Sequence, residues 1–255
     1  MLARITLLLL AFAFTPTVLA EKITIAAASD LKGCLDEVVA NFRKLHAGDE
    51  VEVVYGSSGK FKTQIEQGAP FDLFFSADSA FPRELLKAKL AVGEVHPYAI
   101  GRLVIWSKTI DAGTLSVTDL TRSDIQKIAI ANPQHAPYGK AAEEALRASG
   151  IWEQVEHKLV YGENIAQTAQ FAESGNAQVG IIALSLVLGP VKTSKGSYSL
   201  VPNSLHEPLK QGFVITKRAA DNMLAKAFAD YMDSGQTRAV MVRYGFALPG
   251  EASDH

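Results

Sequence analysis

Val54-Tyr-Gly-Ser-Ser-Gly-Lys60 separates two kinds of periodicity. Before it stands an apolar run, Val51-Glu-Val-Val54, which reads as a strand. After it, Phe61-Lys-Thr-Gln-Ile65 carries the spacing of a helix. A strand that turns on small residues into a helix leaves backbone N–H groups unpaired at the turn, beside hydroxyls, where the helix dipole is positive. Such a corner suits an anion. It is not a nucleotide phosphate loop. The G-x-x-x-x-G-K-[ST] spacing needs Gly at 54 and Ser or Thr at 61, where Val54 and Phe61 stand.

The same grammar continues on both sides. Lys22-Ile-Thr-Ile-Ala-Ala-Ala28 reads as a buried strand, and Ser29-Asp30 opens a helix with Leu31, Leu35, Val38, Val39 and Phe42 at helical spacing. Residues 50–55, 71–75 and 98–106 read as further strands, the last with Gly101 inside it. Residues 128–131, 159–161, 178–182, 197–201 and 212–215 continue the series, and helices at 221–234 and 237–244 close it. Strands alternating with helices imply mainly parallel α/β sheets covered on both faces. Residues 98–106 and 209–215 lack clear turn punctuation and are expected to cross between two lobes, 21–102 plus 212–255 and 103–211.

The composition is that of a globular protein: 255 residues, 48% hydrophobic and 20% charged. A formal charge of −2 argues against a nucleic-acid partner, which wants a basic face. Met1-Leu-Ala-Arg4, the apolar residues 5–14 and Val18-Leu-Ala20 have the form of a removable secretory signal over residues 1–20, with cleavage after Ala20. The apolar run is short for a membrane span and Pro16 interrupts it. Cys34 is the only cysteine, so no internal disulfide forms; it falls on the apolar side of its helix and reads as a small buried residue.

Four strand-to-helix junctions share one chemistry: Ala28-Ser-Asp30, Gly56-Ser-Ser-Gly59, Ala136-Pro-Tyr-Gly139 and Gly162-Glu-Asn-Ile165. Ligands of open α/β sheets bind beyond the carboxyl ends of strands. Two corners fall in each expected lobe, so they can face one another across a cleft. A fully deprotonated oxyanion offers only acceptors, and hydroxyls, backbone N–H groups and helix N-termini supply donors without a full charge. The residue-level alternative is that Ser29 and Ser58 merely cap helices. Enzyme readings are poor. The six histidines lack metal-ligand spacing, no Gly-x-Ser-x-Gly elbow exists, and a lone loop histidine such as His135 reads as solvated. Lys60 is expected to point to solvent.

The chain resembles the ModA-type molybdate-binding proteins, periplasmic receptors of molybdate importers. The resemblance covers essentially all of the chain after residue 20. It is carried by Ala26-Ala-Ala-Ser29, Gly56-Ser-Ser-Gly59, Gln64-Ile-Glu-Gln-Gly-Ala-Pro70 running into Asp72-Leu-Phe-Phe-Ser-Ala-Asp78, Tyr98-Ala-Ile-Gly-Arg-Leu-Val-Ile-Trp106, Ile130-Ala-Asn-Pro-Gln-His-Ala-Pro-Tyr-Gly139 and Arg243-Tyr-Gly-Phe246. It implies a two-lobe periplasmic binding protein fold of type II, a periplasmic location, and a non-enzymatic receptor for molybdate and tungstate. It further implies a monomer that delivers the oxyanion to the membrane permease of an ABC importer, with no cofactor and with molybdenum held only as its oxyanion. Ser29 and Ser58 are each expected to give a hydroxyl and a backbone N–H, and Tyr138 and Ile165 backbone N–H groups. Some members place a Tyr hydroxyl at the position of Ala183, which cannot replace it. In the subgroup with Tyr at the position of Tyr138, the residue after the first site Ser or Thr donates instead. Here that residue is Asp30, which cannot donate from an ionised side chain. It is expected in the first helical turn with only its N–H available; otherwise it accepts from a protonated oxyanion, which favours phosphate. Phosphate or sulfate receptors, and a secreted hydrolase using Ser29 or Ser58 beside His135, are the alternatives.

Overall fold

The computed structural model describes residues 21–189 and 196–250. The expected signal segment and its cleavage site lie outside the described residues. In chain order the strands are β1 (Lys22–Ala28), β2 (Glu50–Gly56), β3 (Leu73–Ser76), β4 (Ala91–Gly101), β5 (Leu103–Ser107), β6 (Ile128–Ala131), β7 (Leu159–Gly162), β8 (Val179–Ala183), β9 (Ser197–Leu200) and β10 (Leu209–Thr216). The helices are α1 (Cys34–Leu45), α2 (Ser58–Glu66), α3 (Ala80–Lys87), α4 (Pro137–Ala148), α5 (Trp152–Val155), α6 (Ile165–Glu173), α7 (Ser185–Leu188), α8 (Met223–Met232) and α9 (Gly235–Arg243). Two five-stranded sheets result, ordered β2-β1-β3-β10-β4 and β7-β6-β8-β5-β9. Each has its own apolar core: Ile23, Leu35, Phe42, Phe75, Phe213 and Phe228 pack in the first lobe, and Ile105, Ile128, Ile130, Leu146 and Ile181 in the second.

Local sequence explains most of these elements. The core face of α1 is a stripe of Cys34, Leu35, Val38, Val39 and Phe42, with Asp36 and Glu37 in its first turn and Arg43 and Lys44 in its last, matching the dipole at both ends. Asn164, Asn222 and Ser234 cap α6, α8 and α9 through side-chain bonds to backbone N–H groups.

Three expectations change. The helix expected from Ser29 does not run through. Ser29–Leu31 is a single 3₁₀ turn, Gly33 takes a left-handed φ of 82°, and α1 starts only at Cys34. Asp30 therefore stands ahead of α1 rather than in its first turn. The single strand expected over 98–106 is two strands in two sheets, joined at Arg102, whose Nε donates to the Gly245 carbonyl at 2.9 Å. Residues 209–215, expected to cross between the lobes, lie wholly in the first sheet as part of β10.

The sheets are also mixed rather than mainly parallel. β1 pairs in parallel with β2 and β3, and β6 with β7 and β8, as helical crossovers require. β10 enters the first sheet antiparallel to β3 and β4, and β5 enters the second antiparallel to β8 and β9. Both strands adjoin the points where the chain passes between the sheets, so no crossover helix imposes a parallel direction on them.

Gly139 sets how closely α4 approaches β6: a Cβ there would lie 2.1 Å from the Ala131 carbonyl oxygen. Gly139→Ala is expected to lose about 1–3 kcal/mol of stability by urea denaturation, because backbone rather than a flexible side chain must yield. An unchanged midpoint would show that α4 moves freely from β6.

Candidate functional site

The four junctions converge. Residues 28–30, 56–58 and Ala77 from the first lobe, and 136–138 and Ile165 from the second, enclose one small cavity. At ≈ 10 Å³ it has room for about one water molecule. Ser29, Asp30, Ser58, Tyr138 and Ile165 all line it, and among the described residues no Lys, Arg or His side chain does.

Each position follows from local structure. Ser29 follows β1 directly, where the 3₁₀ turn begins. Its Oγ crosses the cleft, accepting from the Ala166 N–H at 3.2 Å and donating to Asn164 Oδ1 at 3.1 Å. Ser58 is the first residue of α2, not its cap; the cap position is Ser57. The Ser58 Oγ accepts from the Ala77 N–H at 3.0 Å, which leaves its own proton for an acceptor in the cavity. Tyr138 and Ile165 stand in the first turns of α4 and α6, where backbone N–H groups have no carbonyl of their own helix to bond. Ala183 ends β8 as a buried methyl with nothing to donate.

Asp30 is wholly buried. Its Oδ2 accepts from Gln211 Nε2 at 2.7 Å, and the same nitrogen donates to the Tyr138 hydroxyl at 3.1 Å. Burial pushes the Asp30 carboxyl up to about 6, while Gln211, Tyr138 and the nearby amides of Asp30 and Leu31 pull the other way. Neither amide forms a well-directed bond to Oδ1, which lacks a partner among the described residues.

A second set of contacts closes the rim of the cleft. Ser57 Oγ lies 2.9 Å from His135 Nδ1 and donates to the His135 carbonyl at 2.5 Å, and the Gly59 N–H donates to that carbonyl at 2.9 Å. Lys60 pairs with Glu163 across the lobes. His135 is thus not the solvated residue that the sequence suggested, whereas Lys60 is exposed, as expected, and meets Glu163 there. Burial holds the His135 ring below the ordinary histidine range, with Lys60 adding to the effect and Glu163 opposing it. Ser57, Gln211 and Gly101 were not singled out as site residues, and His135 was named as one only in the hydrolase alternative. Of these, only Gln211 left a usable trace, as an amide just before the apolar run Phe213–Ile215.

Two outcomes follow from these contacts. Lys60 and Glu163 are each about half exposed, so their pair is worth about 0.2–1 kcal/mol. Lys60→Ala is expected to weaken ligand binding about 1.5- to 5-fold, with the difference vanishing in high salt; a salt-independent loss would contradict the pairing role. Asp30 binds its proton more tightly folded than unfolded. Its stabilising contribution is therefore full below the ordinary carboxyl value and is lost as the pH climbs through about 6. Asp30→Asn should melt higher than the parent above about pH 6, by on the order of 3 kcal/mol at most, with the gap closing toward about pH 4. A gap independent of pH would mean that the carboxylate carries no burial penalty.

Comparison with known proteins agrees with this geometry. The family of bacterial extracellular solute-binding proteins matches residues 23–247. The molybdate-binding protein ModA of Rhodobacter capsulatus is 38% identical over 232 residues, covering 89% of this chain and 88% of its own. That of Azotobacter vinelandii is 36% identical over 234 residues, covering 90% and 91%. The solved structure of the Azotobacter vinelandii periplasmic molybdate-binding protein superposes with a TM-score of 0.83 at 31% identity, over 89% of this chain and 99% of that one. The sulfate-binding protein SubI of Mycobacterium tuberculosis shares the fold at a TM-score of 0.72 and 16% identity. The chain belongs to the bacterial extracellular solute-binding proteins, as a ModA-type member.

Proposed function

We propose that this protein captures molybdate, and tungstate with it, between its lobes and delivers the oxyanion to the membrane permease of an ABC importer in the periplasm. The observation that carries the reading is the lining of the cavity. Hydroxyls and first-turn amides from both lobes meet there, without a cationic side chain. Such a set favours an oxyanion that has only acceptors to offer. Ser29 and Ser58 give hydroxyl and backbone donors, and Tyr138 and Ile165 give backbone N–H groups. About six charge-assisted bonds at roughly 1.5–3 kcal/mol each, less desolvation and closure costs, leave roughly −10 kcal/mol, a Kd of tens of nM.

Entry of the ligand exchanges contacts already present. The Ser29 hydroxyl leaves Asn164 for an oxyanion oxygen, and the lobes part slightly to admit an ion larger than the cavity now holds. Because the ligand bridges both lobes, it favours the closed form over an open one, which is the differential affinity that closure requires. The chain acts as a monomer by binding, not chemistry. Of the serines, it is Ser57 that meets His135, and its proton goes to the His135 carbonyl. That contact clasps the lobes instead of activating a nucleophile.

Titration calorimetry with molybdate, tungstate, sulfate and phosphate tests the reading. The expected result is tight binding of the first two and weaker binding of sulfate, a smaller ion. Ser58→Ala should lose roughly 1.5–3 kcal/mol, about 10- to 150-fold in affinity. Tight phosphate binding with no molybdate binding would overturn the proposal. Full affinity in Ser58→Ala would remove Ser58 from the site.

A further inference from the structure

Among the described residues, Asp30 is the one acidic residue that lines the cavity. Its two oxygens differ. Oδ2 is fixed as an acceptor by Gln211 Nε2, which is itself set by its second bond to the Tyr138 hydroxyl. Gly101 makes room for this arrangement: a Cβ there would lie 2.2 Å from the Tyr138 oxygen and 2.7 Å from Gln211 Nε2. Oδ1 is buried and has no partner among the described residues. A proton on Asp30 therefore belongs on Oδ1.

Among the described residues, nothing charged stands ready to neutralise the carboxylate. The titratable groups near it are Tyr98 on β4, Tyr138 on α4 and Cys34 on α1, all pushed above their ordinary ranges by burial and so uncharged. Packed against the 3₁₀ turn, α6 brings Asn164 and Ile165 near it, and α7 brings Ser185, whose hydroxyl donates to the Asp30 carbonyl at 2.7 Å. Tyr55 of β2 is engaged with Asp36 at 2.6 Å. A dianion beside an ionised, unpaired carboxylate would set like charges together away from water, and such pairs do not both stay ionised. One proton on Oδ1 removes the repulsion and turns an orphaned acceptor into a donor.

We propose that Asp30 takes up one proton from solvent as the oxyanion enters and donates Oδ1–H to an oxyanion oxygen, so that capture of the dianion is linked to proton uptake. The proton returns to solvent on release, and no other covalent bond forms or breaks. Asp30 thus supplies the donor that the methyl of Ala183 cannot. Burial already brings its carboxyl to about 6 with Gln211 in place, within reach of further elevation by an adjacent anion. The inference rests on the molybdate reading and gives that site a protonation state.

The test is calorimetry of the mature protein with sodium molybdate, in buffers of different ionisation enthalpy, at about pH 6 and about pH 8. Close to one proton taken up per molybdate is expected at the higher pH and about half a proton at the lower. The Kd should rise about tenfold per pH unit above about pH 7. Asp30→Asn places an amide nitrogen where Oδ1 stands and donates at every pH. It should show no proton uptake, a flat Kd, and binding about tenfold or more tighter than the parent at pH 8. Molybdate binding by the parent without proton uptake, at a pH-independent Kd, would overturn the inference while leaving the molybdate reading intact. Unaltered uptake in Asp30→Asn, folded by circular dichroism, would overturn it as well. So would phosphate binding that Asp30→Asn abolishes, since the carboxylate would then be an acceptor. Absence of molybdate binding at every pH would overturn the molybdate reading and this inference with it.

Discussion

The hydroxyl of Ser29 belongs to one lobe and is bonded to the other. It accepts from the first turn of α6 and donates to the residue that caps that helix. This is the interaction on which the arrangement of the site turns. It brings the carboxyl end of β1 against the N-terminus of a helix rooted in a different sheet. Apart from the Asp30 carboxyl, hydroxyls and amides supply the polarity, and they converge on the cavity with partial positive charge. A lysine would bind anions in general. Fixed neutral donors demand acceptors at set positions and reject oxyanions that bring protons to them.

The two lobes can serve such a site because the chain crosses between them twice, entering the second sheet at β5 and leaving it after its neighbour β9. β4 passes into β5 within a residue, and the chain returns to enter the first sheet as β10. Gln211 lies on that returning strand and holds Asp30 from the first lobe and Tyr138 from the second. One buried amide thus joins the crossing to both walls of the cavity. At the opposite rim, Ser57, Gly59 and Lys60 meet His135 and Glu163. These contacts touch the lobes rather than the proposed ligand, so they set how much of the binding energy goes into closure.

Much of this was legible from residues. The alternation of strand and helix gave the α/β lobes. The four small-residue corners marked Ser29, Ser58, Tyr138 and Ile165, which the fold brings around one cavity. The strand ends were less legible, for a physical reason. Residues 98–106, expected to cross between the lobes, carry no turn chemistry beyond Gly101, and only the pairing of the two halves with different sheets makes them two strands. The break after Leu31 depends on Gly33 adopting a left-handed conformation, which a helical pattern of apolar residues conceals. The clasp was hidden because Lys60, His135 and Glu163 are polar loop residues whose meeting depends wholly on how the lobes face each other. Gln211 acquires its meaning only from Asp30, 181 positions away.

The most direct measurement is a crystal of the protein grown with molybdate and examined by anomalous scattering at the molybdenum edge. A single molybdenum peak is expected between the lobes, with its oxygens in hydrogen-bonding reach of the Ser29 and Ser58 hydroxyls and the amides of Tyr138 and Ile165. A peak elsewhere on the chain, or an ordered crystal without one at saturating molybdate, would contradict the assignment of this cavity.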